Sequence, residues 1–220
     1  MQPGTWPCPD AGPEYVLRFD GGGARLVLVI PALFDEGNKL RRFTVSVMRH
    51  LHTAGVASVL PDWPGCNESL APLDVQTLTG WRAAAASAAV HFEATHILTI
   101  RGGAMLDPGT LPGLRFAPVA GTAILRGLLR AQVIAAREAG GAVTREGLLE
   151  RGLREGLVLG GYDLGARMVA DLDGLALPAS PAREVAQGEL GGGALWLRAE
   201  PGHDPAQAAR LAELMVEAIG

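Results

Sequence analysis

The sequence predicts an α/β fold: a mostly parallel sheet with helices on both faces and a helical cap inserted late in the chain. Three observations carry this reading. Short, continuously apolar runs at residues 25–30, 56–60, 96–100 and 114–118 read as strands, the first three buried on both faces. Helical patterns separate them, and strands alternating with helices build parallel sheets. From Gly121 to residue 177 the alternation stops and no strand signal interrupts the helices. That block should therefore lie as a cap over one edge of the sheet.

Taken in order, residues 15–18 alternate and are rich in β-formers. Asp20-Gly-Gly-Gly23 then supplies the turn of a hairpin into the run at 25–30, which ends at Pro31. Residues 38–54 read as a helix, with Phe43, Val47, Leu51 and Ala54 at helical spacing, Arg41, Arg42 and Arg49 elsewhere, and Gly55 as the stop. The strand at 56–60 enters a loop at 61–69, and an Ala-rich helix follows over 75–92. The strand at 96–100 runs into Arg101-Gly-Gly-Ala104, and the strand at 114–118 leads to the cap. Within the cap, helices are expected over 123–139, from a start at 144–146, and over 164–172. Strand signal returns weakly at 184–186 and clearly at 194–198. The final helix, 205–219, carries Ala206, Ala209, Leu211, Leu214 and Met215 as its apolar stripe.

Composition narrows the function classes. The 220 residues are 48% hydrophobic and 19% charged, which excludes a disordered chain. A net charge of −4 argues against general nucleic-acid binding. The longest clean apolar run, residues 26–34, is too short to span a bilayer, and residues 1–20 lack the basic-then-apolar pattern of a secretion signal. Cys8 and Cys66 are too few for a disulfide framework or a zinc site and fit buried or reduced thiols in a reducing cytoplasm. No cofactor or metal motif is present. The expectation is a cytoplasmic protein with no membrane span, no nucleic-acid partner and no cofactor.

In open α/β sheets, ligands bind at the carboxyl ends of the strands. Four loops reach that edge: 31–39, 62–69, 101–104 and 201–204. Their order resembles the layout of an α/β-hydrolase, with an oxyanion turn after an early strand, a nucleophile on a strand-to-helix elbow and a histidine after the last strand. Asp62-Trp-Pro-Gly65 with Glu68-Ser69 resembles a D-x-x-G-x-G-x-S loop of that fold, and Gly202-His203-Asp204 stands where its histidine stands. The elbow motif G-x-S-x-G is read here as Thr99-Ile100-Arg101-Gly102-Gly103. Its nucleophile position is Arg101, a permanently protonated guanidinium that cannot attack a carbonyl. No serine elsewhere has the flanking glycines, and Glu189 is the one candidate for the triad acid. Cys66, with His203 in reach, is a second nucleophile to weigh, although its loop has no elbow pattern. The alternative to a degenerate site is an active esterase or thioesterase with non-standard residues.

A narrower resemblance lies in Pro31-Ala-Leu-Phe-Asp-Glu-Gly-Asn-Lys-Leu-Arg-Arg42, which is similar to the P-x-F-x-E-E-x-N-K-x-R-R stretch of the exosortase A system-associated hydrolase 2 family. Ile100-Arg-Gly-Gly-Ala104 resembles that family's elbow with Arg in place of Ser. Pro118-Val-Ala-Gly121, Leu128-Leu-Arg130 and Gly160-Gly-Tyr-Asp-Leu164 match its later landmarks. The resemblance implies a place beside exopolysaccharide and PEP-CTERM sorting systems, with a protein partner there, and no demonstrated reaction.

At this edge Arg101, the amides of Leu33 and Phe34, the helix start after Gly102, and Lys39 all present positive potential. A half-buried cation needs a partner. Either Asp35 or Glu36 pairs with Arg101 internally, or the pocket binds a small anion such as a carboxylate or phosphate; the two are compatible if Glu36 aims the guanidinium at a ligand. Arg126, Arg130 and Arg137 on the long cap helix would cover this pocket, meet a partner or simply face solvent.

Overall fold

The structure is a computed structural model and describes residues 1–9 and 11–220. Two strands open the chain, β1 (Gln2–Cys8) and β2 (Gly12–Phe19), followed by β3 (Leu26–Ile30), α1 (Phe34–Thr53), β4 (Ala57–Pro61), α2 (Leu78–His91) and β5 (His96–Ile100). A 3-10 turn, Arg101–Leu106, leads to β6 (Gly113–Phe116). The cap holds α3 (Gly121–Glu138), α4 (Arg145–Glu155), the strands β7 (Leu157–Leu159) and β8 (Tyr162–Leu164), and α5 (Ala166–Gly174). The chain returns through β9 (Arg183–Val185), a single-turn α6 (Gln187–Leu190), a 3-10 turn at Leu195–Leu197 and α7 (Pro205–Ile219).

The main sheet has seven strands in the order β1-β2-β4-β3-β5-β6-β9. Pairing is parallel from β4 through β9 and antiparallel at the β1–β2 and β2–β4 edges. Alternation along the central strands sorts the core into two halves. Leu28, Ile30, Val59 and Ile97 face α2 and the cap, and Val27, Val29, Leu60, Leu98 and Ile100 face α1 and α7. Both faces are covered, which is why these runs read as continuously apolar. Among the described residues, no helix is long and apolar enough to cross a membrane.

Three local expectations need correction. The glycine run after β2 does not close a β2–β3 hairpin, because β4 lies between those strands. β2 instead pairs with β1, so the opening residues form a hairpin that their prolines and glycine disguised. The run at 20–23 is glycine-rich for proximity: a Cβ on Gly21 would lie 2.3 Å from the Ala57 nitrogen, and Gly22 donates its N–H to Gly55. Second, the cap has strands of its own, the β7–β8 ladder pairing Leu157 with Leu164. Third, residues 194–198 form a turn. Their apolar signal reflects Leu195, 2% exposed, and Trp196, while Leu197 is 79% exposed and joins no ladder.

Candidate functional site

β5 ends at Ile100, and the next residue takes the left-handed conformation, Arg101 φ +52°. A side chain with a Cβ rarely adopts this. The sharp turn projects Arg101 upward from the carboxyl edge of the sheet, as an elbow does. Gly103 makes the turn possible, since a Cβ there would lie 2.4 Å from the Pro31 oxygen and 2.6 Å from the Ile30 oxygen. A Cβ on Gly102 would meet Ile124 of α3 at 2.6 Å and Leu33 at 3.4 Å, so the cap presses directly on the elbow. The left-handed turn of an elbow is present and holds a residue that is no nucleophile. The helix expected after Gly102 is only the 3-10 turn Arg101–Leu106, too short to supply a helix dipole.

The guanidinium of Arg101 is held by three hydrogen bonds and an aromatic face. Its Nε and Nη2 donate to the two carboxylate oxygens of Glu36, each at 3.0 Å, and Nη1 donates to the Ala117 carbonyl at 2.9 Å. Its central carbon sits 4.0 Å from the ring centroid of Trp196. The Arg101 side chain is 14% exposed and that of Glu36 28%. Two parallel charge-assisted bonds and a face-on indole fix the orientation. Asp35, the neighbouring candidate partner, bonds Lys39 at 2.8 Å one turn along α1. Lys39 is thereby engaged by Asp35.

Leu33 and Phe34 form the turn into α1. Leu33 is buried in extended backbone, and Phe34 is itself left-handed, φ +54°. The Phe34 ring meets Tyr162 of the cap edge-on at 5.3 Å and Trp81 of α2 at 6.0 Å. The turn separates two cavities that both reach it. One, about 390 Å³, lies between the turn and α3 and includes Glu36, Ile124, Leu128 and Trp196 in its wall. The other, about 240 Å³, lies between α1 and the loop at 62–69.

Of the other sequence candidates, Glu189 shares with Arg101 the wall of a third cavity of about 380 Å³, whereas Cys66 and His203 stand among other groups. His203 faces the charges of Arg42, Arg49 and His50, well along α1 from the Glu36 turn, and its Nδ1 is buried without a partner. Desolvation, then Arg42, pushes its pKa down. Beside Arg101 stands Trp196, carried by the turn that replaces the strand expected at 194–198. Glu189 caps the single turn of α6 through the Ala186 N–H at 2.8 Å and pairs with Arg183 at 2.8 Å, bonds that lower its pKa in an exposed position. Cys66 lines the smaller cavity, where burial pushes its thiol up to about 12, so it is no thiolate at neutral pH. Arg126, Arg130 and Arg137 are exposed along α3. Among the described residues no group of three or more metal-ligating side chains converges.

Sequence reasoning did not single out Trp196 or Ala117, and Tyr162 figured there only within the landmark at 160–164. For Glu36 over Asp35 a signal existed. Glu36 stands four residues before Leu40 and seven before Phe43, on the buried face of α1, whereas Asp35 is exposed beside Lys39.

No family model matches the sequence, and no curated protein matches it. Solved structures do. The chain is similar to Est1E from Butyrivibrio proteoclasticus, in a structure with ferulic acid bound, at 15% identity over 98% of each chain with a TM-score of 0.64. It is also similar to a putative hydrolase from Agrobacterium vitis, at 14% identity over 100% of this chain and 99% of that one, TM-score 0.54. The mouse alpha/beta hydrolase domain-containing protein 10 matches at 15% identity over 84% of this chain and 77% of its own, TM-score 0.54. At these identities the likeness concerns the fold, which is that of the α/β-hydrolases.

Proposed function

We propose that this chain, with its α/β-hydrolase fold, is a non-hydrolytic protein that binds a ligand or partner at the carboxyl edge of its sheet. The observation that carries this is the occupancy of the elbow. Arg101 stands at the nucleophile position, locked onto Glu36, Ala117 and Trp196. Acyl transfer needs an activated nucleophile with a base within hydrogen-bond reach. Arginine supplies neither, and His203 keeps company with Arg42 and Arg49. The Glu36 pairing supports the internal ion pair over an anion held at Arg101 itself, because the guanidinium already meets a carboxylate through two bonds. The apolar cleft over α3 then remains for a ligand, with Glu36 and Trp196 in its wall.

The same proposal extends to context. The similarity of residues 31–42 and 100–104 to the exosortase-associated hydrolases supports a cytoplasmic role beside exopolysaccharide assembly, with a protein partner from that system.

Incubation with a fluorophosphonate probe and with short p-nitrophenyl esters tests the central point. The wild type should remain unlabelled and turn over no ester. Arg101→Ser should also remain silent, since a serine there has no base beside it. Stoichiometric labelling or ester turnover by the wild type would overturn the proposal.

A further inference from the structure

The smaller cavity lies on the opposite side of the Leu33–Phe34 turn from the elbow cleft. Positions 34, 37, 38 and 41 of α1, one face at helical spacing, line it together with the 62–69 loop and Tyr162 of the cap. Asn38 and Arg41 belong to the α1 motif singled out from the sequence, yet neither takes part in holding Arg101.

Arg41 is the cation of this cavity. Its Nη1 lies 3.5 Å from Asp62 Oδ1, and its side chain is 36% exposed whereas that of Asp62 is 0%. Asp62 is pinned by the Asn67 amide at 2.7 Å and by its own N–H to Tyr15. The buried carboxylate therefore positions Arg41 from behind and cannot itself reach an occupant. A guanidinium presents five donors, so one contact with Asp62 leaves others facing the cavity. Asn38 donates to the Tyr162 hydroxyl at 2.9 Å, which leaves the phenolic proton of Tyr162 to donate onward. Trp63, on the wall and 2% exposed, has an indole N–H with no partner, and Asp62 Oδ2 likewise has none. The remaining wall is apolar, from Leu73 and the Phe34 ring.

We propose that this cavity is a binding site for a small monocarboxylate with a short apolar body. The carboxylate takes the free edge of the Arg41 guanidinium and the Tyr162 hydroxyl, and the body lies against Trp63 and Leu73. A doubly charged phosphate fits less well, because Arg41 is already shared with Asp62 and the rest of the wall is neutral. The Cys66 thiol is kept protonated at neutral pH by burial and then by the Asp62 and Glu14 charges behind the wall. Those charges further favour an occupant with a single negative charge over a doubly charged one. The site is separate from the elbow and stands whether or not the elbow is silent.

Calorimetric titration of the full chain with benzoate and butyrate, against benzamide and butyramide at matched ionic strength, tests it. Benzoate should bind at least about tenfold more tightly than benzamide. Removing Arg41 alone would strand the buried Asp62, so the paired variant Arg41→Gln with Asp62→Asn is used. It should weaken benzoate by about tenfold or more, and Tyr162→Phe by about threefold. Equal binding of acid and amide, no benzoate binding at millimolar concentration, or undiminished benzoate binding by the folded double variant would each overturn the proposal. Undiminished binding that disappears in Arg101→Met would move the anion to the elbow.

Discussion

Arg101 concentrates the chemistry of the molecule in one side chain. It occupies a left-handed backbone position, φ +52°, that L-residues resist by about 1–2 kcal/mol. The bidentate bond to Glu36, the Ala117 carbonyl and the Trp196 face offset that cost. An exposed ion pair contributes under about 1 kcal/mol, and breaking a buried one costs about 3–5. The Arg101–Glu36 pair is mostly buried, so Arg101→Ala should lower the unfolding free energy by about 2–4 kcal/mol. Arg101→Gly loses the same bonds but relieves the backbone, and should be about 1 kcal/mol more stable than Arg101→Ala. Urea midpoints read both. An Ala variant as stable as wild type would mean that the pair is solvated; a Gly variant no better than Ala would mean that the turn carries no strain.

Among the elements, the elbow shows how strand and turn constrain each other. β5 ends beside β3, and the 3-10 turn after it folds back so tightly that Gly103 touches the Ile30 and Pro31 carbonyls. Gly103→Ala drives a methyl into backbone that belongs to the central strand and cannot yield. A loss of about 3 kcal/mol or more is expected. Gly127, in the middle of α3 with nothing within 4 Å of its would-be Cβ, is the contrast. Gly127→Ala should gain about 0.5–1 kcal/mol by propensity alone. Thermal unfolding of the two variants separates steric need from composition. Equal effects would show that the elbow glycine is not sterically required.

Across the whole molecule, two buried acids tie stability to pH. Glu14 on β2 and Asp62 after β4 are both nearly inaccessible. Burial raises both carboxyl pKa values, against the bonds from Ser69 and Asn67 that lower them. A raised folded-state pKa means that the folded protein binds the proton more tightly than the unfolded chain. The resulting stability is fully present below the unfolded values, roughly pH 4, and is lost as pH rises through the folded ones. Glu14→Gln keeps an oxygen for the Ser69 hydroxyl, 2.8 Å away, and removes the charge. It should raise the urea midpoint relative to wild type near neutral pH, with the gain vanishing toward about pH 4. A gain that is independent of pH would show that Glu14 titrates normally.

The sequence by itself determined the central parallel strands, the elbow position and what the elbow lacks. Continuous apolar runs record burial on both faces, which the central strands β3, β4 and β5 share. Arg101 in the nucleophile position is a covalent fact that no folding can alter. Only the tertiary structure decided which groups meet. The β1–β2 hairpin was hidden because its pairing, not its propensity, stabilises those proline-bearing strands. Residues 194–198 carried a strand's pattern because Leu195 and Trp196 are needed inside, and apolar character reports burial without stating whether a ladder or a turn provides it. That turn brings Trp196 onto Arg101 and leaves His203 beside Arg42. Glu36 rather than Asp35 closes the site because helix rotation, set by Leu40, Phe43 and Val47 against the sheet, turns one carboxylate inward and its neighbour out. Local periodicity fixes which face is buried, whereas contacts between residues 65 apart depend on how separate elements pack.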